Sequence, residues 1–295
     1  WWWTKAAKPF GLISVRNSPS WTVLPLLCRN VVIRGVTITN PWKPYCNCDG
    51  INPVSCNGVR ISDCYLDTGD DGITLKTLPD WYVGCDGAVD YDRPHIPCEN
   101  VLITNCVVKH AHGGVTLGAE VIGGIRNVAI SNCVFDGTRA GIRIYRYPWP
   151  GGYVENVRVS NVVMQRVEWV FHVTAYWDAE KIEDAPGAAD TPVYRGIHFS
   201  DVTATRARIA CEAEGLASKP LSDLSWRGCR IESDVGFRVR DARGVYLDDV
   251  SVACPGPAFT ADRVSELELR RFDAHSERGC AAAIELRETS DVWVH

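Results

Sequence analysis

Three observations predict an all-β chain wound as a right-handed parallel β-helix, a solenoid of stacked coils. First, a short unit recurs nine times: Val31-Val-Ile-Arg-Gly-Val36, Val59-Arg-Ile-Ser-Asp-Cys64, Val101-Leu-Ile-Thr-Asn-Cys106, Val128-Ala-Ile-Ser-Asn-Cys133 and Val157-Arg-Val-Ser-Asn-Val162, then units from Ile197, Leu224, Val245 and, more weakly, Leu267. Second, the start-to-start spacings are 28, 42, 27, 29, 40, 27, 21 and 22 residues, and repeats in this range mark solenoids, propellers or arrays. Third, V-x-I alternates apolar and polar as a half-buried strand does, while helical periodicity is nearly absent.

The elements follow in order along each unit. V-x-I is the first strand, and the Asn, Asp or Gly before the last apolar residue is turn chemistry. A second alternation comes next, as in Ile73-Thr-Leu75, Val115-Thr-Leu117, Ile142-Arg-Ile144 and Phe171-His-Val173. Two or three short strands per coil suit a β-helix, whereas a four-stranded propeller blade needs about 40 residues or more. The two long spacings predict insertions at about Leu78 to Glu99 and Tyr176 to Tyr194, and loops on a rigid scaffold tend to carry function. With no linker or composition break, residues 1–295 are expected to form one domain. The chain begins inside what should be a first coil, so upstream coils are expected to cap the exposed edge.

Composition narrows the function. Apolar residues make up 46% and charged residues 23% of 295, as in soluble globular proteins. A net charge of -5 argues against a nucleic-acid partner, which needs a basic face. No apolar run of about 18 residues predicts a membrane span, and Trp1-Trp2-Trp3-Thr4-Lys5 lacks the pattern of a signal peptide. Of thirteen cysteines, Cys64, Cys106, Cys133 and Cys229 close the V-x-I-x-x-C pattern and predict a ladder of buried thiols. Cys85 with Cys98, and Cys46, Cys48 and Cys56, are the disulfide candidates; an odd total leaves at least one thiol over.

Stacked coils lie about 4.8 Å apart, so equivalent positions become neighbours. Aligning Gly50, Gly72, Gly114 and Gly141 puts Asp49 above Asp71, with Asp70, His112 and Arg139 in the column before. Two positions after the glycine come Asn52, Thr74, Thr116 and Arg143; four after come Val54, Lys76, Gly118 and Tyr145. Three carboxylates this close cannot all keep ordinary pKa values, and repulsion with partial burial should raise at least one. Such a split is what glycoside hydrolysis uses. Clustered aspartates also bind calcium or serve turns, and spacing alone leaves these uses open.

At these residues the chain resembles glycoside hydrolase family 28, the polygalacturonase family of right-handed parallel β-helices. Asn47-Cys-Asp-Gly50, Gly69-Asp-Asp-Gly72, Ala111-His-Gly-Gly114 and Gly141-Ile-Arg-Ile-Tyr145 resemble its Asn-Thr-Asp-Gly, Gly-Asp-Asp, Gly-His-Gly and Arg-Ile-Lys motifs. Asp70 through Thr77, and Thr116-Leu-Gly-Ala-Glu120, extend the match; Trp2-Trp3 resembles an aromatic pair that follows early coils. The resemblance implies inverting hydrolysis of an α-linked galacturonide without cofactor or metal. By motif, Asp70 resembles the general acid and Asp49 with Asp71 the pair that orients water, their carboxyls about 6.5–9.5 Å from the acid. His112 would sit against Asp70, and Arg143 would engage a substrate carboxylate bidentately. Lys76, Tyr145 and Tyr176 complete the expected substrate-binding set, with Trp177, Tyr147 and Trp149 as further stacking candidates.

The chain departs from the motif at Tyr145, which replaces the lysine paired with Arg143. Strand alternation should turn Arg146 to the other face. A weaker carboxylate clamp favours another pectic linkage, of galacturonide or rhamnogalacturonan type, or a modified sugar. The expected protein is a secreted or periplasmic monomer acting on a pectic poly- or oligosaccharide. Two other readings stay open: a β-helical polysaccharide lyase, needing a bound cation and a basic proton abstractor, and a non-catalytic carbohydrate-binding β-helix.

Overall fold

A chain whose apolar residues alternate, and whose turns need one left-handed residue each, stacks coil on coil. The computed structural model describes residues 13–41, 47–78, 95–146, 151–175, 192–276 and 282–295. Its strands are β1 (Ser14–Arg16), β2 (Arg29–Arg34), β3 (Thr37–Asn40), β4 (Asn57–Ser62), β5 (Tyr65–Thr68), β6 (Ile73–Leu75), β7 (Cys98–Thr104), β8 (Val107–Lys109) and β9 (Gly113–Leu117). They continue as β10 (Ile125–Asp136), β11 (Ala140–Ile144), β12 (Tyr153–Gln165), β13 (Trp169–Thr174), β14 (Val193–Glu214), β15 (Leu221–Arg227), β16 (Arg230–Cys254), β17 (Phe259–Ser276), β18 (Ile284–Arg287) and β19 (Ser290–Val294). All nineteen join one sheet, and each strand pairs in parallel with its counterpart on the next coil, as in β4–β7, β5–β8 and β6–β9. The fold is a right-handed parallel β-helix.

The V-x-I positions point inward. In all nine units both apolar residues are at most 6% exposed, from Val31 and Ile33 to Leu267 and Leu269. The turn residue before the last apolar position has positive φ in every unit: Gly35, Asp63, Asn105, Asn132, Asn161, Asp201, Gly228, Asp249 and Arg271. Asn, Asp and Gly tolerate this region best, which is why they occupy the position. Asparagine side chains there also bond between coils, Asn161 Nδ2 donating to Asn132 Oδ1 at 2.8 Å. The Cys64, Cys106, Cys133 and Cys229 thiols are buried as expected.

Later coils differ from the expected short strands. β14 runs 22 residues and β16 runs 25 because a bend of one left-handed residue, such as Asp201 or Asp249, does not break the ladder. Inside these coils an aromatic stack joins the aliphatic core. Ring centroids are 4.4 Å apart for Phe171–Phe199, 5.5 Å for Phe199–Trp226 and 5.5 Å for Trp226–Phe237. Such pairs add about 0.5–1.5 kcal/mol beyond burial.

Both expected insertions end slightly earlier than assigned, since β7 already starts at Cys98 and β14 at Val193; most of their length lies outside the described residues. Cys56 and Cys98 are free thiols on adjacent coils, so this part of the disulfide expectation fails: each stacks in register as a buried hydrophobe. Cys46, Cys85, Tyr147, Trp149, Tyr176, Trp177 and Trp1 to Trp3 also lie outside the described residues.

Candidate active site

On the β6, β9, β11 and β13 face almost every residue is buried, outward-pointing ones included. On the β4 and β7 face, by contrast, outward residues such as Arg60 and Leu102 are exposed. Outward positions on the buried face carry Thr74, Thr116, Arg143 and His172 in register. Burying such polar groups is costly unless they are paired, so this column marks a built site.

The coil register delivers the aspartates. The Gly50 N–H donates to the Asp71 carbonyl and the Ile51 N–H to that of Gly72, both at 2.9 Å, which sets Asp49 beside Asp71 on adjacent coils. Asn52 Nδ2 donates to Asp49 Oδ2 at 2.6 Å, and Thr116 Oγ1 donates to Asp71 Oδ1 at 2.8 Å. Asp70 Oδ1 accepts from the Asp71 N–H at 2.8 Å and lies 3.1 Å from His112 Nδ1. Asp49 and Asp71 are buried, while the Asp70 side chain keeps 19% of its surface exposed.

These surroundings push the three carboxyls apart. Burial raises Asp49 to about 7; Lys76 opposes this, Asp71 and Asp70 reinforce it, and the Asn52 hydrogen bond holds it back. Burial also raises Asp71, with Arg143 as the main opposing charge. Burial would raise Asp70 as well, but the hydrogen bond and charge of His112 outweigh it and hold that carboxyl below its ordinary value. The expectation that at least one carboxylate rises is met by two, and the one that falls is the expected acid.

Four positions past the glycine, the site closes with cations and aromatics. Arg143 Cζ lies 3.8 Å from the Tyr145 ring centroid, a cation–π contact. Lys76 Nζ lies 3.0 Å from Glu120 Oε2, their side chains 8% and 6% exposed, and 4.7 Å from the Trp21 ring centroid. Arg146 donates from Nε to the Ala175 carbonyl at 3.0 Å. Two fully buried oxygens near Asp49, Asn52 Oδ1 and Thr74 Oγ1, have no hydrogen-bond partner among the described residues.

The sequence profile of Glycosyl hydrolases family 28 matches residues 5–252. The chain belongs to this family. A probable polygalacturonase of Vitis vinifera is 33% identical over 213 residues, 72% of this chain and 41% of that protein. An endo-polygalacturonase of Pectobacterium carotovorum subsp. carotovorum is 26% identical over 230 residues, 78% of this chain and 51% of that one. The crystal structure of a hyperthermoactive exopolygalacturonase from Thermotoga maritima superposes with a TM-score of 0.65 at 29% identity, covering 79% of this chain and 51% of that structure. The family 28 chain thus spans about half the length, or less, of these curated relatives.

For this family 28 member, Asp49, Asp70, Asp71, His112, Arg143 and Tyr145 come together as the columns predict. Lys76 is present too, but it faces Glu120. Three contributors were not foreseen. Glu120 ends a quoted motif but sits among apolar residues, and Trp21 carries no repeat signal. The third is Gly113, where an added Cβ would lie 2.0 Å from Thr116 Oγ1 and 3.0 Å from Asp71 Oδ1; its mark was two successive glycines after His112.

Proposed function

We propose that this chain hydrolyses a glycosidic bond in a pectic, galacturonide-containing polysaccharide or oligosaccharide, with inversion at the anomeric carbon. The observation that carries this is three aspartates on two adjacent coils, one raised to about 7 and one lowered by a histidine 3.1 Å away. Groups pushed apart in this way divide acid and base work between them. Family membership and the polygalacturonase names of both endo- and exo-type relatives support the substrate class.

In this reading Asp70 protonates the leaving oxygen, and Asp49 with Asp71 orient the attacking water. Asp70 is the most open of the three, so a bound sugar adds most to its desolvation and lifts its carboxyl toward the protonated form. His112 governs that step by releasing or holding the anion. The unpartnered Asn52 Oδ1 and Thr74 Oγ1 suit a bound water beside Asp49, since buried polar atoms of this kind are normally satisfied by one. Arg143 engages the uronate carboxylate. With Tyr145 over it rather than a second cation alongside, the clamp is a single guanidinium, and galacturonide or rhamnogalacturonan-type chains both remain within its reach. A polymeric cell-wall substrate makes secretion, or export to a periplasm, the corresponding location.

The test is product analysis by mass spectrometry over a panel of pectic oligosaccharides, with the first-formed anomer followed by NMR. Saturated products of inverted configuration are expected. Unsaturated, ultraviolet-absorbing products would show a lyase instead, and no turnover on any member would leave only binding.

A further inference from the structure

Lys76 was expected to bind substrate, yet its setting is that of an internal group. Its backbone is fixed to the preceding coil, bridged to Val54 and bonded through its N–H to the Pro53 carbonyl at 3.1 Å and through its carbonyl to the Ser55 N–H at 2.9 Å. Its ammonium is buried against Glu120 and capped by Trp21. Glu120 is itself held by the next residue along: its carbonyl accepts from the Thr77 N–H at 2.7 Å and from Thr77 Oγ1 at 3.2 Å. The column beyond Lys76 is Gly118 and then Tyr145. A Cβ on Gly118 would lie 2.0 Å from the Tyr145 carbonyl oxygen, so this position between Lys76 and Tyr145 has no room for a side chain.

We propose that the Lys76–Glu120 pair is a positioning device for the aspartate cluster: Lys76 is a fixed counter-charge that sets the protonation of Asp49, Asp70 and Asp71, and it does not contact substrate. This rests on the catalytic reading of those aspartates. A buried cation within reach of several carboxylates favours their ionised forms, and Lys76 acts on all three: it opposes burial at Asp49 and at Asp71, and adds to the effect of His112 at Asp70. The reciprocal holds as well, since Glu120, Asp49, Tyr145 and Asp71 together overcome burial and keep the ammonium charged. Other groups facing the cluster are Arg143 and Tyr145 at Asp71, His112 and Cys48 at Asp70, and the neutral donors Asn52 and Thr116.

The sign of each substitution follows. Lys76→Met removes the cation and moves the aspartate titrations to higher pH by about one unit, tenfold in proton affinity. Glu120→Gln removes the neighbouring anion and moves them to lower pH. If Lys76→Met alone fails to fold, the double variant Lys76→Met/Glu120→Gln removes both charges at once, with an upward shift again expected because Lys76 acts on each of the three carboxyls.

The experiment is an aspartate-selective side-chain carboxyl NMR titration of wild type and these variants, followed by kcat and KM against pH on oligogalacturonides. Opposite shifts for Lys76→Met and Glu120→Gln, with KM within about threefold of wild type, are expected. Unmoved titrations, or a KM rise of tenfold or more with unmoved pH limbs, overturn the proposal and return Lys76 to substrate binding. Shifted titrations in a protein that hydrolyses no galacturonide would overturn the catalytic reading while leaving the counter-charge in place.

Discussion

Replacing His112 with alanine removes the imidazole whose Nδ1 lies 3.1 Å from Asp70 Oδ1, the interaction that holds Asp70 below its ordinary value. A hydrogen bond to a charged group contributes about 1.5–3 kcal/mol, or about 1–2 pKa units at ~1.36 kcal/mol per unit. The two side chains are 29% and 19% exposed, so solvent screening favours the lower end, an upward shift of about one unit. The pH dependence of kcat/KM reports the free enzyme, and its limbs belong to the coupled cluster. On the proposed roles the acid, Asp70, titrates below the base, Asp49, so the active form is the minor one that carries its single proton on Asp70. The acid limb is then expected to follow the lowered carboxyl and the alkaline limb the one raised to about 7. The His112→Ala profile should narrow from the acid side by about one unit while its alkaline limb stays put. Initial rates of reducing-end release at constant ionic strength measure both. An unmoved acid limb, or an alkaline limb that moves instead, would refute the coupling of His112 to Asp70.

Three further outcomes are expected. Asp49→Asn should melt higher near pH 7 while losing activity. A carboxyl raised to about 7 from 3.8 in the fold costs stability as pH climbs between those values, about 4 kcal/mol when complete, so the gain in Tm should vanish below about pH 4. Tyr145→Lys places a second cation beside Arg143 and should raise kcat/KM on unmodified polygalacturonan relative to branched pectic oligomers; an unchanged ratio would mean that Tyr145 does not set the preference. Gly113→Ala pushes a methyl against Thr116 Oγ1 and should displace its hydrogen bond to Asp71, costing about 1–3 kcal/mol by urea denaturation with a larger fractional loss in kcat than in KM.

The repeat made the fold legible because one unit codes for one coil: the V-x-I pair fixes the buried face, and the Asn, Asp or Gly at positions such as Asn132 and Asp201 supplies the left-handed bend. Strand lengths were less legible, since nothing in β14 or β16 announces that hydrogen bonding continues through those bends. The site columns could be read because register in a solenoid follows from glycine alignment, and Asp49, Asp71 and Arg143 fall where the alignment puts them. What could not be read was charge balance. That His112 lowers Asp70 while burial raises Asp49 depends on distances and enclosure. That Lys76 turns to Glu120 depends on a contact 44 residues away in sequence.

The division of labour among the aspartates is tested most directly by leaving-group dependence. A general acid matters little when the leaving group departs without a proton, whereas the groups that activate water matter for every substrate. On a nitrophenyl α-galacturonide, Asp70→Asn should retain turnover close to wild type while losing about 10²–10⁴-fold on an oligogalacturonide; Asp49→Asn and Asp71→Asn should be impaired on both. If Asp49→Asn is the variant rescued by the activated substrate, Asp49, already raised to about 7 in the free site, is the acid and the roles proposed here are reversed.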